Sequence, residues 1–330
     1  MPNRTKKIEN IIKWTVAVLS YGFIVYTIAD FRNDIENLAK TWLDSIKDGK
    51  WIWIAGMTAL VPLNLSIEAW KWKTLTANLQ KLSFRNALRA VVAGQFAGFF
   101  TPNRIGEVTG RSMLLKEGNR LKGSSLTITS SVSQTLAVCL IGIPAMMIYI
   151  SMIANSGITS MTILWTVLAF SILCVTYWFI PNLTEYISSS ISNKTVRDWA
   201  ELLTKTDKGT LIKLLLQSVL RYLVFSTQYY MLLRFFMIDI SATEGAIFIA
   251  TNYLIITFVP SMSFSDGAVR AGVASAVFSP VASNSIGVIA TGVSAWLINF
   301  VVPMLIGSVI WLKTDMGKKD KQDKKEKYGF

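Results

Sequence analysis

The chain has 330 residues, of which 52% are hydrophobic and 16% charged, with a formal net charge of +13. Soluble domains carry about 25% charged residues, and the apolar residues here come in long blocks, so a soluble enzyme is excluded. Histidine is absent, which removes Ser-His-Asp and Cys-His catalysis and the commonest metal ligand together; no metal and no other cofactor is expected.

The blocks at 11–29, 125–151, 161–180 and 285–312 approach or exceed the ~20 residues that span ~30 Å of hydrocarbon. A helix satisfies its own backbone in lipid, and these blocks far exceed barrel strands. The expected fold is therefore an all-α polytopic membrane protein. Basic residues cluster at Arg4, Lys6, Lys7 and Lys13, between Lys71 and Lys122, and from Lys313 to Lys327. They flank apolar spans, the pattern of cytoplasmic loops, and near a surface each adds about 1 kcal/mol toward anionic headgroups. Nucleic acid is not an expected partner, because no basic, aromatic-interleaved soluble module is present. Cys139 and Cys174 lie inside apolar blocks and read as small hydrophobes.

In chain order, the block at 11–29 lacks a small-residue cleavage site and reads as a first membrane helix leaving the cytoplasm. Residues 30–50 place Phe31, Ile35, Leu38, Trp42 and Ile46 on one stripe, which suits an amphipathic helix on the outer interface. A second span over 51–75 returns between aromatic belts at Trp51/Trp53 and Trp70/Trp72, with Lys71 and Lys73 marking its cytoplasmic end and Glu68 near that interface. Residues 87–100 are apolar but too short for an ordinary span. Basic residues stand on both sides, so a full crossing would place one cluster outside; a re-entrant hairpin avoids this. A third span over 124–150, an uncharged turn, and a fourth span over 161–180 ending at Pro181 follow. Residues 182–209 carry Ile187, Ile191, Trp199 and Leu202 at helical spacing and read as a cytoplasmic interfacial helix. The fifth span, 210–237, carries Arg221 well inside its apolar length, where a charge usually faces a partner or a cavity. Residues 245–259 repeat the short segment and stop at Pro260, and a sixth span over 284–312 leads into the lysine-rich tail.

Both ends then face the cytoplasm of a cell inner membrane. Six full spans and two re-entrant or broken hairpins make two halves, 11–155 and 158–312, of opposite orientation; eight plain transmembrane helices are the alternative. Residues 1–313 form one transmembrane domain, and 314–330 form a cytoplasmic tail expected to be disordered. Paired short segments in corresponding halves point to a transport site near the bilayer midplane.

The two breaks share a pattern. The first reads Thr101-Pro102-Asn103-Arg104-Ile105-Gly106-Glu107, with Arg111 four residues beyond Glu107; the second runs from Pro260 through Asp266-Gly267 to Arg270. Carboxylate and arginine at that spacing share a helix face. A half-helix starting after each proline would turn its positive end toward an anion, and arginine offers phosphate a planar fork. The candidate substrate-binding residues are Arg104, Glu107, Arg111, Arg221, Asp266 and Arg270, with Thr101, Pro102, Gly106, Pro260 and Gly267 forming the breaks. The plainer alternative is that these charges only neutralise one another and pin the hairpin tips.

The run from Gly94 through Gln95, Gly98, Thr101, Pro102, Arg104 and Gly106 to Glu107 resembles the T-P-x-R-x-G-E signature of the lysylphosphatidylglycerol synthase transmembrane region family, also called flippase-like. The second break resembles that family's later carboxylate-x-G-V-R segment, with Asp266 where Glu is usual and Ala268 where Gly is usual. The resemblance covers most of 10–312. In two-domain members the membrane region moves an aminoacylated phospholipid made by a separate soluble domain. A standalone member without that domain is expected here, so the resemblance implies lipid handling without aminoacyl transfer. The leading expectation is a flippase for an anionic or phosphate-bearing lipid, of phospholipid or polyprenyl-phosphate type. A membrane-embedded transferase using a polyprenyl-phosphate-linked donor and a non-transporting scaffold are the rivals.

Overall fold

The computed structural model describes residues 32–99, 101, 104–154, 160–182, 186, 207–260 and 265–311. Among them the helices are Arg32–Lys47 (α1), Trp51–Thr76 (α2), Phe84–Phe99 (α3), Gly106–Ser112 (α4), Arg120–Ala154 (α5), Ser160–Trp178 (α6), Lys208–Phe235 (α7), Ala242–Phe258 (α8), Asp266–Phe278 (α9) and Ser285–Trp296 (α10). A π-helical turn at Leu297–Val301 carries α10 on to Trp311. The expected first span, most of the 182–209 connector and the lysine-rich tail lie outside the described residues.

Among the described residues, α2, α5, α7 and the continuous helix Ser285–Trp311 are long and apolar enough to cross a membrane, with shorter apolar helices at Thr166–Trp178 and Ala242–Phe258. The chain is an all-α, multi-pass membrane protein. Local chemistry sets the helix ends. Asp207 caps α7 by accepting from the Thr210 backbone N–H at 3.0 Å, and hydrogen bonds from Thr210 hold its carboxyl below the usual carboxylate range. Ser241 and Glu244 close a reciprocal capping box at the start of α8. Val259 is extended ahead of Pro260 and ends α8, because a residue before proline is pushed out of helical geometry.

Where 87–111 is expected to turn back, α3 and α4 form an antiparallel hairpin. Residue 94 meets 110 and 111, and 98 meets 107. At seven residues, α4 rises only about 10 Å and cannot cross the hydrocarbon. The arms touch backbone to backbone: a Cβ on Gly106 would lie 2.2 Å from the Ala97 carbonyl oxygen, and one on Gly110 2.9 Å from the Gly94 Cα. Small residues permit such contact where lipid offers no hydrophobic drive between helices.

Among the described residues, two of the three apolar cores lie along α2 and α7. One joins Met57 of α2 to Leu232, Phe235 and Phe236 at the end of α7 and to Phe248 and Phe278. The other joins Ala69, Trp72 and Leu75 of α2 to Leu126, Leu211 and Leu214. Between them, along α2 and α7, fall Asn64, Glu68 and Arg221. The helix expected on the outer interface is present as α1, and Trp42 seats it against the bundle. The indole packs 5.0 and 5.7 Å from the rings of Phe235 and Phe236 and donates to Ser294 Oγ at 3.1 Å.

Three expectations for α2 are corrected. Trp72 is fully buried and belongs to a core, whereas Trp70 is exposed. Lys71, expected to mark a wet helix end, is 0% exposed, and Glu68, expected near the interface, is 3% exposed. In the fold α3, α5 and α7 pack around that end of α2, and Arg111 reaches it from α4.

Gly106→Val should place its side chain against the Ala97 carbonyl, at an overpacking cost of about 1–3 kcal/mol. A clear fall in the melting temperature of detergent-purified protein is expected. Gly118→Ala, in open space, should melt as the unmodified chain does.

Candidate functional site

Glu68 is the anchor of the buried charges. One carboxylate oxygen accepts from Arg111 Nη1 at 2.6 Å, while the other lies 3.6 Å from Lys71 Nζ and 3.3 Å from Arg221 Nη1. These cations arrive from α4, from the next turn of α2, and from half-way along α7. Arg111 also donates to Glu107 across the i,i+4 spacing, and Glu107 in turn lies 3.4 Å from Arg104. The first break is thereby tied to two membrane-crossing helices.

Neutral groups complete the layer. Arg221 Nε donates to Asn64 Oδ1 at 2.8 Å, and its Nη1 donates to Gln134 of α5 at 3.3 Å. Lys71 Nζ donates to the Ser130 carbonyl at 3.3 Å. Asn64 reaches across to Asn299 Oδ1 at 3.2 Å. Such networks are needed because an uncompensated charge inside a membrane bundle costs several kcal/mol.

The second break repeats the local arrangement. Arg270 Nε donates to Asp266 Oδ2 at 2.9 Å, one turn apart at the start of α9. Gly267 lets this helix approach α10, for a Cβ there would stand 3.0 Å from the Trp296 ring. Pro260 follows the end of α8 and is exposed.

The two breaks meet at Phe300. The Arg104 guanidinium lies 4.4 Å from that ring's centroid and the Arg270 guanidinium 4.6 Å, inside the range of cation–π attraction. Phe300 belongs to the π-helical turn Leu297–Val301, mid-way along Ser285–Trp311. A π turn inserted in an α-helix re-aims side chains and is frequent at functional sites. A cavity with room for about one water lies here, lined by Gln95, Phe99, Arg104, Asp266, Trp296 and Phe300. Gln95 is 4% exposed and its Oε1 has no hydrogen-bond partner.

Arg104 holds a left-handed backbone with φ of 60°, a conformation costly for a residue with a Cβ. Thr101 braces the turn: its Oγ1 accepts from the Gly106 N–H at 2.7 Å and donates to the Gly98 carbonyl at 3.1 Å. Pro102 lies outside the described residues.

The fold thus brings Arg104, Glu107, Arg111 and Arg221 into one network and joins Asp266 and Arg270 to it through Phe300. Sequence reasoning missed Glu68, Lys71, Asn64, Gln95, Gln134 and Phe300. The signal for Glu68 and Lys71 was a pair of opposite charges three residues apart inside an apolar helix, a costly placement. Phe300 gives no signal, since its role depends on the π turn. Among the described residues, no group of three or more Asp, Glu or Cys side chains is arranged to hold a metal ion.

Glu68→Gln should leave its three cations without their shared carboxylate and cost about 3–5 kcal/mol, as breaking buried pairs does. Thermal melts in detergent should show a larger loss for Glu68→Gln than for Glu107→Gln. Glu68→Gln/Lys71→Met should recover part of it, because Lys71 has no other anionic partner among the described ion pairs.

The family model described as the lysylphosphatidylglycerol synthase TM region matches residues 11–307. No curated protein and no solved structure matches the chain.

Proposed function

The chain belongs to the lysylphosphatidylglycerol synthase transmembrane region family, and we propose that it is a lipid flippase moving an anionic or phosphate-bearing lipid across the membrane. One observation carries this reading: two helix breaks, each with a carboxylate–arginine pair, put their arginines on a single ring half-way along a membrane-crossing helix. Charges at that depth either stabilise one another or serve a passing polar group. Arg104 and Arg270 are partly exposed, at 28% and 14% of their side chains, and the cavity opens beside Arg104.

In the proposed cycle, a headgroup enters between the hairpins while its acyl chains stay in lipid. Arg104 and Arg270 receive it, with Arg221 behind, using the bidentate geometry that suits phosphate oxygens. Glu107 and Asp266 hold those arginines when the headgroup is absent, so the cations are not left bare. Rocking of one half, hairpin included, against the other about Phe300 exposes the site alternately to each face, as expected for inverted halves. The protein would sit in the cytoplasmic membrane with both ends inside and act without chemical conversion of the lipid.

Proteoliposomes carrying a fluorescent phosphatidylglycerol report translocation through loss of protection from an external quencher. Arg104→Ala and Arg270→Ala should each slow translocation by about tenfold or more, the loss of one charge-assisted contact of roughly 1.5–3 kcal/mol. Lys116→Ala, at an exposed position, should not. Folded arginine variants working at the unmodified rate would sink the reading and favour a scaffold that does not use its buried charges.

A further inference from the structure

The charges of the site do not cancel. Joined by ion pairs or by the shared Phe300 ring are five cations, Lys71, Arg104, Arg111, Arg221 and Arg270, against three carboxylates, Glu68, Glu107 and Asp266. Arg104 lies within electrostatic reach of Asp266, Arg221 and Arg270 as well as Glu107, so the two pairs form one cluster. Among the described residues it carries two positive charges in excess.

Their position is as informative as their number. Lys71 and Arg111 have side chains 0% and 5% exposed; held against Glu68 and Glu107, they balance those two carboxylates. The other three cations are partly exposed: Arg104, which leans on Glu107, Arg221, which leans on Glu68, and Arg270, which leans on Asp266. Each carboxylate already serves more than its own charge or stands opposite the excess. Of these cations, Arg104 lines the cavity and Arg270 stands on the same Phe300 ring; Gln95 also lines it, with a buried amide oxygen that has no hydrogen-bond partner. An uncompensated double charge inside an apolar bundle demands a counter-ion. A zwitterionic headgroup supplies no net charge and a phosphodiester supplies one. A terminal phosphate monoester supplies close to two near neutral pH.

Building on the flippase reading, we propose that the cavity lined by Arg104 and Gln95, when it widens across the Phe300 ring toward Arg270, seats a phosphate monoester dianion at the end of a lipid, in preference to phosphodiester and zwitterionic headgroups. Gln95 sets this preference when its amide turns so that the N–H groups, rather than the unpartnered oxygen, meet a phosphate oxygen that a diester would carry as an alkyl ester.

Intact protein in detergent micelles is titrated with phosphatidate, phosphatidylglycerol and phosphatidylcholine of identical short chains, and binding is read from the thermal shift. Phosphatidate should bind about tenfold or more tighter than phosphatidylglycerol, reflecting one further full charge in a partly desolvated site. Phosphatidylcholine should be weakest. Arg270→Gln removes one excess charge and should narrow the gap between monoester and diester rather than weaken all lipids equally. Gln95→Leu should narrow it too, with phosphatidylglycerol binding retained. Inorganic phosphate and glycerol phosphate, at millimolar concentration, should fail to displace phosphatidate; displacement by either would show that the ligand is a soluble phosphate. Equal affinities for phosphatidate and phosphatidylglycerol would overturn the proposal. Tight phosphatidate binding without translocation in proteoliposomes would uphold it and overturn the flippase reading alone.

Discussion

The architecture depends on one carboxylate. Glu68 lies inside a membrane-crossing helix, 3% exposed, and receives cations from α2, α4 and α7. In water such pairs contribute little; inside an apolar bundle, leaving any member alone is costly. The position of the first hairpin follows from this, because Arg111 must reach Glu68 while keeping Glu107. Glycines at 94, 106 and 110 allow it: with side chains on these residues, α4 could not lie close enough to α3. The polar layer then separates the two apolar cores that lie along α2 and α7, with the cavity at the Phe300 junction.

Phe300 joins the two breaks without an ion pair between them. Its ring attracts both guanidiniums weakly, by about 0.5–2 kcal/mol each, whereas the carboxylate contacts are stronger and directional. A weak joint between two ion-paired breaks suits the opening and closing that the proposed function requires. The left-handed backbone at Arg104, held by Thr101, belongs to the same design. Strain of that kind persists only where the surroundings over-determine it.

Much of this was legible in the sequence, and the reasons are specific. Spans and short segments follow from apolar length, and α2, α5, α7 and α8 fall within a few residues of their expected positions. The Glu107/Arg111 and Asp266/Arg270 pairs follow from helical spacing, since i,i+4 neighbours meet wherever the helix lies. What failed was long-range. Glu68 and Lys71 read as the wet end of a helix because periodicity says which residues share a face, not what covers it. Trp72 reads as a belt residue for the same reason. Phe300 could not be found, because no propensity marks the π turn that aims it. The T-P-x-R-x-G-E run resembled a family signature, and the family match agrees with it.

The central claim is that the two breaks form one anionic-headgroup site rather than two self-contained ion pairs. An experimental structure of the protein in lipid nanodiscs containing phosphatidate tests it most directly. The account predicts headgroup density between Arg104 and Arg270, both guanidiniums turned toward it, with Gln95 in contact. Density confined to the protein surface, with Arg104 still on Glu107 and Arg270 still on Asp266, would contradict it.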